Sequence, residues 1–302
     1  MDRIRSRLGK SVLAVVVITC AVIFLVFGLL GSLGLFFSNG ARWFEGVDWS
    51  NFNFRFGVGR TVAVDDSVHQ DLAGIERIVI KSVATDPEIS TAGTQLEATL
   101  KGTCRTFSDP VDLVAETSGS TLTVRLKYPT GGITGETLEY RILIPETYAG
   151  DLSVETVSAD VALEDPPIRF TVKDLSASTV SGAIRVSGIP AVSYAFSTIS
   201  GRIALDGATG AVDATTVSGD IDATLAESVA VRAETVSGGT TLILPSDAAF
   251  SVDFETVSGS FSSDFSLSIV KQTRTETKGA VGSGGPELKV ESVSGRLALQ
   301  KG

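Results

Sequence analysis

The sequence predicts a mainly β chain: a single-stranded β-solenoid, with right-handed winding preferred but the hand left open, behind one N-terminal transmembrane helix. Three observations predict this. One short phrase recurs seven times between Val154 and Leu299, as VETVSADV, ASTVSGAI, FSTISGRI, ATTVSGDI, AETVSGGT, FETVSGSF and VESVSGRL. Its basic spacing of about 19 residues is too short for a pair of helices, and its Val, Ile, Thr and Phe content favours strands. A long apolar segment follows a basic tail at the N-terminus.

In chain order, residues 1–10 form that tail, with Arg3, Arg5, Arg7 and Lys10. Ser11 to Phe37 is almost wholly apolar and, at about 40 Å as a helix, exceeds a hydrocarbon core of ~30 Å. It reads as an uncleaved anchor in the lipid bilayer. A cleaved signal peptide is the competing reading, but its apolar region is shorter and ends at an A-x-A-like site, whereas SNG precedes Ala41. Basic residues before the span put the N-terminus in the cytoplasm and the rest of the chain outside the cell membrane.

Residues 38–59 crowd Trp43, Phe44, Trp49, Phe52, Phe54 and Phe56 together. They fit either the headgroup layer or a first strand that seals the core. Residues 60–150 read as strands (RTVAV, IERIVIKSV, QLEATLKG, VDLVAE, STLTVRLKY and LEYRILIP) forming an N-terminal cap and the first coils, because a solenoid end exposes a strand edge that terminal units must cover. His69 is expected in an exposed loop there, and Cys104 as a small core residue.

Residues 151–302 hold the repeat. Its serines are Ser158, Ser181, Ser200, Ser218, Ser237, Ser258 and Ser294, with successive gaps of 23, 19, 18, 19, 21 and 36 residues. The last gap is two periods, with a worn copy expected at Glu276 to Gly279, so eight coils are expected. Counting from the serine, the residues at −1 (Val157, Val180, Ile199, Val217, Val236, Val257 and Val293) are expected to face inward together with +3 and +5. Position −4 is apolar with the opposite parity, so a corner is expected at the Glu-Thr pair. Position +1 is Gly182, Gly201, Gly219, Gly238, Gly259 and Gly295 in six coils, from lack of room or a need for φ > 0. Thr156, Thr179, Thr198, Thr216, Thr235 and Thr256, with Ser292, are expected to form a ladder on the surface.

Composition excludes one partner class. Lys plus Arg number 25 against 35 Asp plus Glu, a formal charge of −10, which repels a phosphate backbone. No nucleic acid is expected. Nor is a cofactor or metal, since the calcium nonapeptide, CxxC, HExxH and a phosphate loop are all absent. The only carboxylate pair worth weighing for catalysis is Asp220 and Asp222 beside Arg202, which reads more economically as a surface ion pair. The repeated serines lack any recurring base.

The phrase TVSGDI, its period, the LIPETY lead-in at Leu143 to Tyr148 and the GSGG loop at Gly282 to Gly285 resemble the DUF4097 family, bacterial β-strand-repeat proteins provisionally described as adhesins. The resemblance spans about Ile75 to Leu299. It implies a β-helix, often behind a single membrane span, with some relatives encoded beside envelope-stress regulators, and it supplies no catalytic residues. The expected function is therefore a binding or scaffold module of the cell envelope without catalysis, whose flat faces suit a cell-wall glycan or another envelope protein. The alternatives are an envelope-stress sensor or regulator of a membrane partner and, behind it, a β-helix carbohydrate-active enzyme.

Overall fold

The computed structural model describes residues 59–129, 133–163 and 171–302, so the expected tail, the expected span and nearly all of the aromatic segment lie outside the described residues. Among the described residues there is no helix, hence none long and apolar enough to cross a membrane. Their strands form two large sheets, one of 11 strands and one of 12, with a single apolar core between them.

The N-terminal part supplies seven strands: β1 (Arg60–Gln70), β2 (Arg77–Lys81), β3 (Pro87–Thr91), β4 (Leu96–Thr106), β5 (Asp112–Ser118), β6 (Thr121–Lys127) and β7 (Ile133–Ile144). In the 11-stranded sheet the long β4 pairs antiparallel with both β1 and β7. In the 12-stranded sheet β5 and β6 form an antiparallel hairpin. The Leu113 amide of β5 donates to Asp66 of β1 at 3.3 Å, which ties the two outermost strands together across the end of the core. His69 is exposed, as expected, but it is a strand residue of β1 opposite Glu97 and not a loop residue. Cys104 is buried in β4 with its thiol free.

From residue 151 the chain alternates between the sheets. The 12-stranded sheet takes β8 (Asp151–Glu155), β10 (Val172–Ser178), β12 (Ala191–Thr198), β14 (Ala211–Thr216) and β16 (Val231–Ser237); the other takes β9 (Val161–Leu163), β11 (Ile184–Ser187), β13 (Ile203–Ala208), β15 (Ile221–Leu225) and β17 (Thr240–Leu244). One strand in each sheet plus the corner between them makes a coil. Each strand lies parallel to its equivalent in the neighbouring coil, as Ile203 opposite Ile221 and Phe196 opposite Ala214 illustrate. Alternate residues are buried, as period-two geometry requires: Ile221, Ala223 and Leu225 point into the core while Asp222 and Thr224 do not. Tyr140, Tyr194, Phe250 and Phe254 are the bulkiest side chains buried in that core, each phenylalanine contributing ~1.5–3 kcal/mol.

Two features depart from simple succession. First, β2 and β3 form a coil of their own, laid parallel on β8 and β9 with Arg77 opposite Asp151 and Glu88 opposite Ala162. Its corner, SVATD at Ser82–Asp86, stands where the next coil has TVSAD. The worn copy is therefore here and not at Glu276 to Gly279. Those latter residues open β21 (Glu276–Val281), which runs antiparallel to both β18 (Phe250–Thr256) and β20 (Ser268–Gln272), and an antiparallel strand cannot be part of a coil that winds in one direction.

Second, the order of coils in space is not their order in sequence. The last coil, β22 (Glu287–Ser294) and β23 (Arg296–Lys301), lies between the coil of β16 and β17 and the coil of β18 and β19 (Ser260–Ser263). The hairpin of β20 and β21 then extends the 12-stranded sheet beyond β18.

Candidate binding surface

The repeated corner explains the repeated phrase. Parity changes between −2 and +1: positions −4 and −2 are buried throughout, and +3 and +5 in every coil but that of Ser258. Position +1 is buried at Ala159, Gly182 and Gly201, half-buried at Gly219, Gly238 and Gly295 and exposed at Gly259, while −1 is half-buried in six coils and exposed in the seventh (Val257), and every serine of the phrase is exposed. The expected corner at Glu-Thr is therefore displaced to the Val-Ser pair. The inward role expected of Val157, Val180, Ile199, Val217, Val236, Val257 and Val293 falls instead to the threonines.

The expected surface ladder of Thr156, Thr179, Thr198, Thr216, Thr235, Thr256 and Ser292 is an internal one, with all seven residues buried. The physical reason is that the chain turns there, and a turning backbone has polar groups that only a side chain can bond. The Thr198 hydroxyl accepts the Gly201 amide at 3.0 Å and donates to the Gly182 carbonyl at 3.3 Å; Thr179 likewise accepts the Gly182 amide at 3.1 Å and lies 3.3 Å from the Ala159 carbonyl. A valine would leave those groups buried and unbonded. In the worn first coil Ser82 repeats the contact, donating to the Thr85 carbonyl at 2.5 Å as Thr156 donates to Ala159 at 2.7 Å.

The glycines at +1 are explained by room alone. None of Gly182, Gly201, Gly219, Gly238, Gly259 and Gly295 has a positive φ, and a Cβ on any of them would overlap the backbone carbonyl oxygen of the adjacent coil: that of Gly201 for Gly219, and that of Gly219 for Gly238.

Aspartates at +2 staple successive corners together. Asp86 accepts the Asp160 amide at 2.8 Å, Asp160 the Ala183 amide at 2.8 Å, and Asp220 the Gly239 amide at 2.7 Å. Asp160 also holds Arg185 at 2.7 Å, and the Ala183 amide together with Arg185 keeps the Asp160 carboxyl below the usual carboxylate range. Asp222 pairs with Arg202 at 2.7 Å. Asp220, Asp222 and Arg202 thus lie together on the outer face of the 11-stranded sheet, but each is already engaged: the Asp220 carboxylate by an amide, the other two by one another.

The outer face of the 12-stranded sheet differs along its length. Toward its C-terminal coils it carries a lattice of ion pairs, Arg232 with Glu234, Lys289 with Glu291 at 2.7 Å, and Lys278 with Asp253 at 2.6 Å. On β10, β12 and β14 the outward positions hold Ser176, Ser178, Ser193, Ala195, Ser197, Ala211 and Thr215, together with Lys173, Asp174, Val192 and Asp213. The small side chains leave a trough of about 380 Å³ over Ser193, Ala195, Ala211, Asp213 and Ala230, closed on one side by Arg232 and Lys289. Sequence reasoning did not find it, because the outward residues of one strand border a concavity only once the four strands that line it, β12, β14, β16 and β22, are in register. A second cleft, about 650 Å³, opens beside Tyr148 of the LIPETY segment; of its three carboxylates Asp71 accepts the Ala73 amide at 3.0 Å and Glu76 the Ser120 hydroxyl at 3.2 Å, and Asp151 lines it as well. Tyr148 itself is a corner brace, its hydroxyl 2.7 Å from the Asp151 carbonyl and 3.1 Å from that of Glu76. Among the described residues no group of His, Cys, Asp and Glu side chains is arranged to hold a metal ion.

No curated protein matches this chain. Among solved structures it is similar to a Bacteroides fragilis protein provisionally described as an adhesin (14% identity over 80% of this chain and 97% of that one, TM-score 0.43). It is similar also to a Parabacteroides distasonis protein provisionally described as lipid binding (15% identity over 81% and 97%, TM-score 0.39), and to a Clostridium sporogenes protein provisionally described as a cell adhesion protein (10% identity over 80% and 100%, TM-score 0.33). None of these likenesses bears on what this chain binds. The family comparison is more specific and narrower than the span from Ile75 that the motifs implied: residues 168–300, which contain the six phrases from Ser181 to Ser294, match the model described as Toastrack DUF4097.

Proposed function

We propose that the chain is a β-solenoid module held in the cell membrane by Ser11 to Phe37, with its N-terminus in the cytoplasm and its repeats outside. There it binds or scaffolds an extended envelope polymer, without catalysis, on the outer face of the 12-stranded sheet. The observation that carries this reading is the trough over Ala195 and Ala211: it crosses successive coils, its small hydroxyl and methyl side chains leave the backbone ridge open to a flat ligand, and charged residues line one side. A hydroxyl-rich chain such as a cell-wall glycan meets donors and acceptors of that kind repeatedly along the sheet. The engaged state of Asp220, Asp222 and Arg202 supports the non-catalytic half of the proposal.

The test measures retention of the full chain on purified envelope polymer. Ala195→Arg and Ala211→Arg fill the trough on an exposed face and are expected to weaken retention about tenfold or more, the equivalent of ~1.4 kcal/mol, whereas Asp220→Asn leaves it unchanged. Retention unaffected by both arginines sinks the surface assignment. Glycan cleavage that Asp220→Asn abolishes would establish the enzyme instead. Neither retention nor cleavage would turn the assignment toward a sensor whose partner is another membrane protein, to which the basic tail is suited.

A further inference from the structure

The place of the last coil carries an inference independent of what the outer face binds. Counting from the phrase at Ser237, the next phrase follows after 21 residues, the spacing of directly adjacent coils. Yet β18 does not lie on β16, because β22 occupies that position and pairs with both. The link that steps over the inserted coil, residues 245–249, is as long as the link between the adjacent strands β15 and β16, residues 226–230. The same link therefore serves whether or not the insert is present.

The hydroxyl ladder changes character at this insertion. Thr156, Thr179, Thr198 and Thr216 all bond backbone groups at their corners. Thr235, Ser292 and Thr256, which are neighbours in register across the insertion, have buried hydroxyl oxygens with no partner, and so does Thr240, opposite Leu297. Position +3 holds Val161, Ile184, Ile203 and Ile221 in earlier coils, so Thr240 also gives up apolar contact there. Among the described residues, the seams around β22 and β23 thus hold four of the five buried hydroxyls without a partner, and they surround the coil that comes last in sequence and that residues 282–286 join to the preceding hairpin.

We propose that this slot is an exchange site between two copies of the chain, in which residues 287–302 of one copy insert between the β16 and β18 coils of the other. The occupant is fixed by the slot itself: both walls carry the same phrase, with Gly238 and Gly259 leaving room only for the close approach of another TVSG-type corner such as that at Gly295. An identical coil offers the same register, the same ladder and the same glycine. Exchange of an identical element is also a low-cost route to a dimer, since each seam that opens within one copy closes again between the two.

The test mixes full chain carrying Thr235→Cys with full chain carrying Ser292→Cys, incubates them under conditions that open the last coil, and then oxidises them. Positions 235 and 292 are register partners in parallel strands. The expected result is a shift from one-chain to two-chain mass on a non-reducing gel, with the bridge joining positions 235 and 292 located by peptide mass spectrometry. A single chain carrying both substitutions is expected to close the bridge internally when it is oxidised without incubation, and to yield two-chain species when it is incubated with both thiols reduced and oxidised only afterwards. A mixture that stays monomeric, or linkage through other positions only, overturns the proposal. So does a double variant that never closes, because the two residues would then not be neighbours in the slot. A companion variant with Thr235→Val and Ser292→Val, which removes the unpartnered hydroxyls from a seam that must open for exchange, should form exchanged dimers more slowly.

Discussion

A single residue type decides the corner. At −2 the threonine methyl meets the core while the hydroxyl bonds the turning backbone, a combination that valine at the neighbouring −1 position cannot supply. The consequence is a contrast between two chemically identical substitutions. Thr198→Val removes the partner of the Gly201 amide and the Gly182 carbonyl and is expected to cost ~1–3 kcal/mol. Thr235→Val removes a hydroxyl that bonds nothing and is expected to be neutral or slightly stabilising. Urea unfolding of the two variants checks this, and equal costs would contradict the bonding account of the ladder. Gly219→Ala is expected to cost ~1–3 kcal/mol because its methyl overlaps the Gly201 carbonyl, whereas Ser218→Ala on the exposed side of the same corner changes little.

At the level of the strand and the coil, the aspartate staples give the stack a defined pH response. The Asp160 carboxyl is held below its ordinary value by the Ala183 amide first and by Arg185 as well. Because the folded value is depressed, its contribution is present above the unfolded value of about 3.8, declines as the pH falls through the interval below it, and is gone once the folded value is passed. Wild type is therefore expected to lose more stability than Asp160→Asn between about pH 5 and pH 3, measured by thermal unfolding across that range. A parallel loss in both proteins would mean that the staple does not favour the charged form. Among the coils, the amides of β22 and β23 are expected to exchange with deuterium before those of β12 and β14, since the former border the unsatisfied hydroxyls and the latter bonded ones. Uniform protection across these strands would remove the special standing of the inserted coil.

At the scale of the whole molecule, the two ends of the double sheet are handled differently. The first end is closed by β1 tied to β5, the other by the hairpin of β20 and β21, which leaves Val270 exposed on the outermost strand of its sheet. β1 begins at residue 60, some two dozen residues after the apolar segment ends, so the proposed anchor enters the module at the end that β1 closes. The basic tail ahead of that segment predicts a topology: protease added to cells with a permeabilised outer layer should digest the repeats and spare a tag placed on the tail. Repeats protected under those conditions, with the tail cut, would reverse the orientation proposed for the module.

What the sequence determined by itself follows from contacts that repeat. Seven phrases at near-constant spacing specify strands, their parallel stacking and the close approach at +1, because every coil states the same local requirement and the period reports it. Cys104 as a core residue was legible for the related reason that its surroundings alternate. What only the tertiary structure decided are matters of partner choice. A hydroxyl reads as solvent-facing until the backbone groups that it bonds are seen to turn inward, so the threonine ladder was placed on the wrong side. The first coil was hidden because Ser82–Asp86 keeps the corner's bonding while changing its letters, and Pro87, tolerated as the first residue of a strand, reads as a break. The insertion of the last coil had no signal at all: identical coils bury nearly identical surfaces, so their sequences cannot record which neighbour each one takes, and only the closed geometry of the two sheets makes that choice.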